Sequence, residues 1–173
     1  MSIGLIFVME TSAPGKSDHV YIQTVLDHFF IYKDVTILNV FLDGKRNYSS
    51  KKTLSIIGNY QSMLRSQAID SSVIYFIDTD SASFDYDQGS FFSNVSSFCK
   101  TKGFGLVWFC KNVENVFLGK EANAIGSKLK AAKDFVRTSG INSIPKTALS
   151  QTAIKANGSN ILLILSKYLP LKG

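Results

Sequence analysis

The sequence predicts an α/β protein with about four strands in a mainly parallel sheet and helices on both faces. Short apolar runs alternate with segments whose apolar residues recur at helical spacing. The runs are continuously apolar, which is typical of strands buried on both faces. Parallel neighbours need long crossover connections, and the intervening helical segments would supply them.

The four predicted strands are Ile3–Met9, Val35–Leu42, Ser72–Ile77 and Gly105–Phe109. A first helix is predicted from Ser17 or Asp18 to Phe30, because Ser and Asp are good N-cap residues and an apolar stripe follows them. The other predicted helices are Leu54–Ala68, a segment between Gly89 and Gly103, Val113–Leu118, Ala122–Val136 and Asn160–Tyr168. The polar segments Lys45–Lys52 and Ser81–Gly89 are predicted loops, and Ser139–Pro145 is a predicted break.

Charge divides the chain into an acidic first part and a basic second part. Residues 1–99 hold seven Lys and Arg against ten Asp and Glu, a net charge of −3, whereas residues 100–173 hold twelve against three, a net charge of +9. We expect residues 1–110 to form the α/β core and residues 111–173 a basic helical C-terminal extension packed on it. The asymmetry predicts a cation site in the first part and a polyanion-binding surface in the second. Lysines that only solvate the late helices would give the same pattern. The lysines of this candidate surface are Lys111, Lys120, Lys128, Lys130 and Lys133.

Cellular location is predicted from apolar runs and cysteines. The longest apolar runs fall far short of the ~20 residues that a membrane-spanning helix needs, and no basic segment precedes the first of them. The two cysteines have no metal-binding spacing. We therefore expect a cytoplasmic protein with no membrane partner.

The stretch METSAPGKSDH, residues 9–19, has two interpretations. Gly15-Lys16-Ser17 matches the phosphate-binding pattern G-x4-G-K-[ST] except at its first position, which Glu10 occupies. Asp78 would then be the magnesium-binding acid of a nucleotide-dependent phosphotransferase. The charge of Glu10 disfavours this interpretation, because a phosphate cradle presents backbone N–H groups to an anion.

The second interpretation is a metal site. Glu10 follows the first strand, and Asp78 and Asp80 follow the third. The carboxyl ends of parallel strands lie at one edge, so these three carboxylates can converge there. Their oxygen atoms suit Mg²⁺ or Mn²⁺. Taken alone, Asp78-Thr79-Asp80 is more typical of an Asx-turn or a helix cap, and its coincidence with Glu10 and Gly15-Lys16-Ser17-Asp18 favours the metal site.

The segments LIFVMETSAPGKSD and VIYFIDTD resemble the Toprim superfamily, with an apolar strand, a glutamate, a turn containing Gly, Lys and Asp, and a later strand ending in D-x-D. Size and the segment FGLVWFCKNVENVFLGK make the chain most similar to the standalone OLD and RloB-like nuclease subunits of phage-defence systems. The resemblance implies a Rossmann-like sheet and Mg²⁺- or Mn²⁺-dependent cleavage of DNA or RNA phosphodiesters.

The resemblance also implies roles for individual residues. Glu10 would be the general acid/base and a metal ligand, and Asp78 and Asp80 would be catalytic metal ligands. Asp18 would bind a second ion and Glu114 would be a further ligand, although both could simply stabilise helix N-termini. Apart from the resemblance, the candidate phosphate-binding residues are Lys16, which follows Gly15 at a predicted helix start, and Lys111 and Lys120 of the basic surface.

One departure keeps other functions open. Family members usually have glycine directly after the glutamate, whereas residues 11–14 intervene here before Gly15. A phosphotransferase, or a non-catalytic regulatory or partner-binding subunit, therefore remains an alternative. Members of the family often work with a separate ATPase subunit, so the resemblance implies such a partner. A homo-oligomer is also compatible with the sequence.

Overall fold

A four-stranded, all-parallel sheet organises the chain, as predicted for an α/β protein. The computed structural model describes residues 2–11, 17–80, 86–120 and 125–173, with backbone alone for 86–89 and 125–126. The strands are β1 (Ile3–Met9), β2 (Val35–Phe41), β3 (Asp70–Asp78) and β4 (Gly105–Phe109), in the spatial order β2-β1-β3-β4. This arrangement is Rossmann-like, with β1 and β3 central and β2 and β4 at the edges.

The helices are α1 (Ser17–Phe29), α2 (Lys51–Ser66), α3 (Tyr86–Lys102), α4 (Val113–Leu118), α5 (Ile125–Arg137) and α6 (Ile161–Leu165). Short 3-10 turns occupy Lys45–Ser49, Gly140–Ser143 and Lys146–Leu149. In the part of the chain that the structure describes, no helix combines the length and the apolar character needed to cross a membrane.

Several predicted boundaries were wrong for identifiable reasons. The predicted loop Lys45–Lys52 contains a 3-10 turn and the first residues of α2, because the Ser50 side chain accepts a hydrogen bond from the backbone N–H of Thr53 (3.2 Å) and caps the helix there. In the predicted loop 81–89, residues 86–89 are helical, and residues 81–85 lie outside the described residues.

Two later helices also differ from their predictions. The helix predicted from residue 122 is described from Ile125, and residues 121–124 lie outside the described residues. The last helix ends at Leu165 rather than Tyr168. Asn160 precedes it, because its side chain binds the backbone of β4 instead.

Side chains alternate between the two faces of the sheet, as its pleat requires. On β1, Leu5, Phe7 and Met9 join a core cluster with buried residues of α1, α4, α5 and α6. Ile6 and Val8 join a second cluster with residues of α2 and α3. The segment after β4 therefore helps to cover one face, and both faces are buried.

Candidate acidic site at the carboxyl edge of the sheet

Glu10 and Asp78 meet where β1 and β3 end. The strands pair in parallel, with Met9 opposite Phe76, so Glu10 lies beside the end of β3. The backbone N–H of Asp78 donates a hydrogen bond of 3.0 Å to Oε2 of Glu10. The structure thus brings together the first two carboxylates that the sequence singled out.

The turn after β3 directs Thr79 and Asp80 differently. Thr79 is buried, and its Oγ1 accepts a hydrogen bond from the backbone N–H of Lys111 (3.0 Å). Asp80 has a left-handed backbone (φ 51°), and its N–H donates to the carbonyl oxygen of Lys111 (2.7 Å). Aspartate tolerates this conformation better than most residues. These bonds join the turn after β3 to the turn after β4.

Lys45 is a member of the site that the sequence analysis missed. It follows β2 and forms an ion pair with Asp80. Its positive charge also opposes the rise in the pKa of Glu10. The available signal was its place directly after Asp43-Gly44, at the carboxyl end of a predicted strand.

A second pair of carboxylates comes from the first turns of α1 and α4. Asp18 accepts a hydrogen bond of 3.3 Å from the hydroxyl of Ser17. Glu114 is fully buried, and its Oε2 lies 3.6 Å from Nζ of Lys128 on α5. Within the described residues, neither carboxylate oxygen of Glu114 accepts a hydrogen bond. Burying a carboxylate without hydrogen bonds costs folding free energy, so a buried side chain such as Glu114 is expected to have a functional role.

The pKa shifts show that these groups share one electrostatic environment. Burial raises the pKa of Glu10 to about 7, with smaller increases from the charges of Asp80 and Asp18. Burial also raises the pKa of Asp18 to about 6, and the charge of Glu114 adds to that rise. Both carboxyl groups are therefore partly protonated near neutral pH.

The carboxyl group of Asp78 is affected by the charges of all four neighbouring carboxylates. Its pKa is raised well above the usual range, first by burial and then by the negative charges of its neighbours. Those neighbours, in order of effect, are Asp18, Glu10, Glu114 and Asp80. We call these five residues, Glu10, Asp18, Asp78, Asp80 and Glu114, the acidic cluster.

The acidic cluster has the donor chemistry of a hard-cation site but not a preassembled one. Its carboxylate oxygens are the ligands that Mg²⁺ and Mn²⁺ prefer. In the described ranges, however, no three His, Cys, Asp or Glu side chains are arranged to hold one metal ion. Burial is the main cause of the raised pKa values, and the charges of Lys45 at Glu10 and of Lys128 at Asp18 oppose it only in part.

The predicted phosphate-binding lysines fall in different places. Lys16 lies outside the described residues, as does most of the Gly15-Lys16-Ser17 pattern. Lys111 is exposed in the turn that contacts Thr79 and Asp80, so it lies beside the acidic cluster. Lys120 is exposed after α4, and Lys130 and Lys133 are exposed on α5.

Tyr21 is a second residue that the sequence analysis missed. Its ring stacks on Phe117 with centroids 5.1 Å apart, and its buried hydroxyl has no hydrogen-bond partner among the described residues. Burial and the charges of Glu114 and Asp18 raise its pKa. Its position on the first helix, next to the predicted apolar stripe, gave no sign of this electrostatic interaction.

No protein-family model matches the sequence, and no curated protein matches it significantly. The Toprim resemblance therefore stays a prediction.

Proposed function

We propose that the protein is a divalent-metal-dependent nuclease of the Toprim type, which hydrolyses phosphodiester bonds of DNA or RNA. The observation that carries the proposal is the acidic cluster. Four separate elements of the chain, the ends of β1 and β3 and the starts of α1 and α4, contribute carboxylates that act on Asp78. Parallel α/β sheets bind their ligands at this edge.

The residues divide into metal ligands and a proton-transfer group. Asp78 and Asp80 would hold Mg²⁺ or Mn²⁺, with Asp18 and Glu114 as further ligands. The ion would stabilise negative charge that develops on the phosphodiester. Glu10 would transfer the proton, because a carboxyl group with a pKa of about 7 is populated in both forms at neutral pH.

Basic residues next to the acidic cluster support a polyanionic substrate. Lys111 is exposed in the turn bonded to Thr79 and Asp80, and Lys128 contacts Glu114 from α5. Together with Lys120, such lysines would bind phosphates rather than base edges, giving weak sequence preference and steep salt dependence. By resemblance alone, we propose a cytoplasmic phage-defence role beside a separate ATPase.

A non-catalytic regulatory subunit is the second candidate. It is favoured by the lack, within the described part of the chain, of three side chains arranged around one metal position. The phosphotransferase alternative rests on Lys16, which is not among the described residues.

The test is cleavage of plasmid DNA and of tRNA with Mg²⁺, with Mn²⁺ and with chelator. We expect cleavage in the presence of metal, its loss in Asp78→Asn, and no change in Asp70→Asn. Asp70 is the matched control because it is exposed at the opposite end of β3. Metal-dependent cleavage that persists in Asp78→Asn would contradict the site assignment.

The same preparations distinguish the alternatives. ATP binding that is lost in Lys16→Ala, without cleavage of either nucleic acid, would identify a phosphotransferase. An intact fold with neither activity and no metal uptake would identify the non-catalytic subunit.

A further inference from the structure

The two edges of the sheet differ in how their backbones are covered. At the β4 edge, Asn160 acts as a substitute for a neighbouring strand. Its Oδ1 accepts a hydrogen bond from the N–H of Trp108, and its Nδ2 donates one to the carbonyl oxygen of Leu106, both at 2.9 Å. The Ser159 hydroxyl donates to the carbonyl oxygen of Trp108 at 2.7 Å. At the β4 edge, these outward-facing backbone groups of Leu106 and Trp108 therefore already have hydrogen-bond partners within the chain.

The β2 edge has no such cover among the described residues, where β2 pairs with β1 alone. The N–H of Leu42, directly after β2, donates to the carbonyl oxygen of Met9. The backbone N–H groups of the even-numbered residues of β2 therefore face β1. Because strand backbone groups alternate in direction, those of Ile37, Asn39 and Phe41 point outward.

The β2 sequence also lacks the usual protection of a free edge. Monomeric proteins guard such edges with charged residues, proline or a bulge. The strand VTILNVF has no charged residue, no proline and no glycine. It is rich in apolar and β-branched residues, the composition that favours strand pairing.

We infer that the β2 edge binds the β2 edge of a second copy of this chain, in antiparallel orientation. The outward groups belong to odd-numbered residues, so odd residues must face odd residues across the new pair. Full overlap of the seven-residue strand places Leu38 opposite itself, Ile37 opposite Asn39, and Val35 opposite Phe41. The product is a continuous eight-stranded sheet with a two-fold axis perpendicular to it.

Charge complementarity at the strand ends supports this register. The same pairing brings Lys33 of one copy close to Asp43 of the other, twice per dimer. Both residues are exposed, and neither forms an ion pair with another described residue. A parallel pairing would place like charges at each end instead.

The dimer also fixes where the two acidic clusters lie. The two-fold axis reverses the strand direction. The carboxyl ends of the strands therefore point in opposite directions in the two copies. Each site would then be built from one copy and would stay open to a separate substrate.

The first test measures molar mass by size-exclusion chromatography with light scattering over a range of protein concentrations. We expect a dimer. Ile37→Pro should convert it to a monomer, because it removes a donor that faces outward and leaves the bonds to β1 in place. Ile37→Ala keeps the N–H and is the matched control, expected to remain dimeric. Lys33→Glu should raise the dissociation constant about fivefold, and adding Asp43→Asn should reverse part of that change.

A cross-linking test reads the register even if Ile37→Pro fails to fold. In this register Leu38 lies opposite Leu38 of the second copy in a non-hydrogen-bonded pair, because its own backbone groups face β1. Residues in such an antiparallel pair lie close enough for a disulfide. In a Cys110→Ser background, Leu38→Cys should form a disulfide-linked dimer on oxidation, whereas Thr36→Cys should not. A monomeric wild type would overturn the inference, and so would a dimer in which Leu38→Cys fails to cross-link. Neither result bears on the nuclease proposal, which depends on residues at the sheet's carboxyl edge.

Discussion

The carboxylate of Glu10 accepts a 3.0 Å hydrogen bond from the backbone N–H of Asp78, a residue 68 positions later in the chain. This contact joins the ends of the two central strands and holds the Glu10 side chain against β3. It also places two buried acidic groups close together: the charge of Glu10 adds to the rise in the pKa of Asp78, whereas the hydrogen bond from the Asp78 backbone lowers the pKa of Glu10 and only partly offsets the rise that burial causes. The position of Glu10 is therefore set by the backbone, independently of any bound ion.

Substitution of Glu10 separates its structural role from its proposed chemical role. Glu10→Gln keeps an oxygen that accepts the Asp78 hydrogen bond but removes the ionisable group. We expect it to fold normally and to lose nuclease activity by about 100-fold or more. Glu10→Ala should be less stable than Glu10→Gln by about 1 kcal/mol, because the N–H of Asp78 loses its acceptor. Urea denaturation and cleavage assays measure the two effects, and equal activity in wild type and Glu10→Gln would contradict the proton-transfer role.

The acidic cluster predicts an unusual dependence of stability on pH. The folded-state pKa of Glu10 is raised from 4.5 to about 7 and that of Asp18 from 3.8 to about 6, so the folded protein binds these protons more tightly than the unfolded chain. Their contribution favours folding below the unfolded pKa values and is lost as pH rises through the folded ones. Without divalent cations, the free energy of unfolding should therefore fall between about pH 4 and pH 7. Glu10→Gln should flatten this profile, and an equally steep profile in that variant would exclude Glu10 as its source.

Divalent cations should stabilise the folded protein, and more strongly at high pH. A cation binds the ionised carboxylates, whose repulsion is greatest above the raised pKa values. At about 100 times the dissociation constant, Mg²⁺ should add about 3 kcal/mol to the free energy of unfolding. Thermal melting with Mg²⁺ and with chelator, at pH 6 and pH 8, measures the effect. Glu114→Gln should reduce it, whereas Asp70→Asn is a control that should leave it unchanged.

Asn160 is expected to matter for stability although it lies outside the acidic cluster. Asn160→Ala removes two hydrogen bonds to β4 and leaves backbone groups of Trp108 and Leu106 without partners. The free energy of unfolding should fall by about 1–3 kcal/mol, while nuclease activity should be retained at temperatures where the variant is folded. Asn142→Ala, at an exposed position of a 3-10 turn, is a control that should have little effect.

The sheet was predictable because its strands are short, continuously apolar runs. Ile3–Met9 and Gly105–Phe109 match their predicted bounds: Ser2 and Glu10 flank the first run, and the second begins at a glycine. The start of α2 was not predictable from apolar spacing, because the helix begins with a polar turn capped by Ser50. The start of α6 at Ile161 instead of Asn160 was also missed, because it depends on hydrogen bonds of the Asn160 side chain to a strand about fifty residues earlier.

The candidate site was predictable only as far as strand ends determine it. The convergence of Glu10 and Asp78 follows from parallel topology, which fixes the edge where both residues lie. Lys45 and Tyr21 were missed because their electrostatic interactions with the acidic cluster depend on how a turn and a helix pack, which residue spacing does not encode.

The most direct test of the central claim is an anomalous-scattering map of crystals grown with Mn²⁺ at pH 8. We predict a manganese peak within the acidic cluster, bound by the carboxylate of Asp78 and at least one neighbouring carboxylate, and no peak there in Asp78→Asn. A well-ordered cluster without manganese, or with manganese bound elsewhere on the protein, would contradict the account.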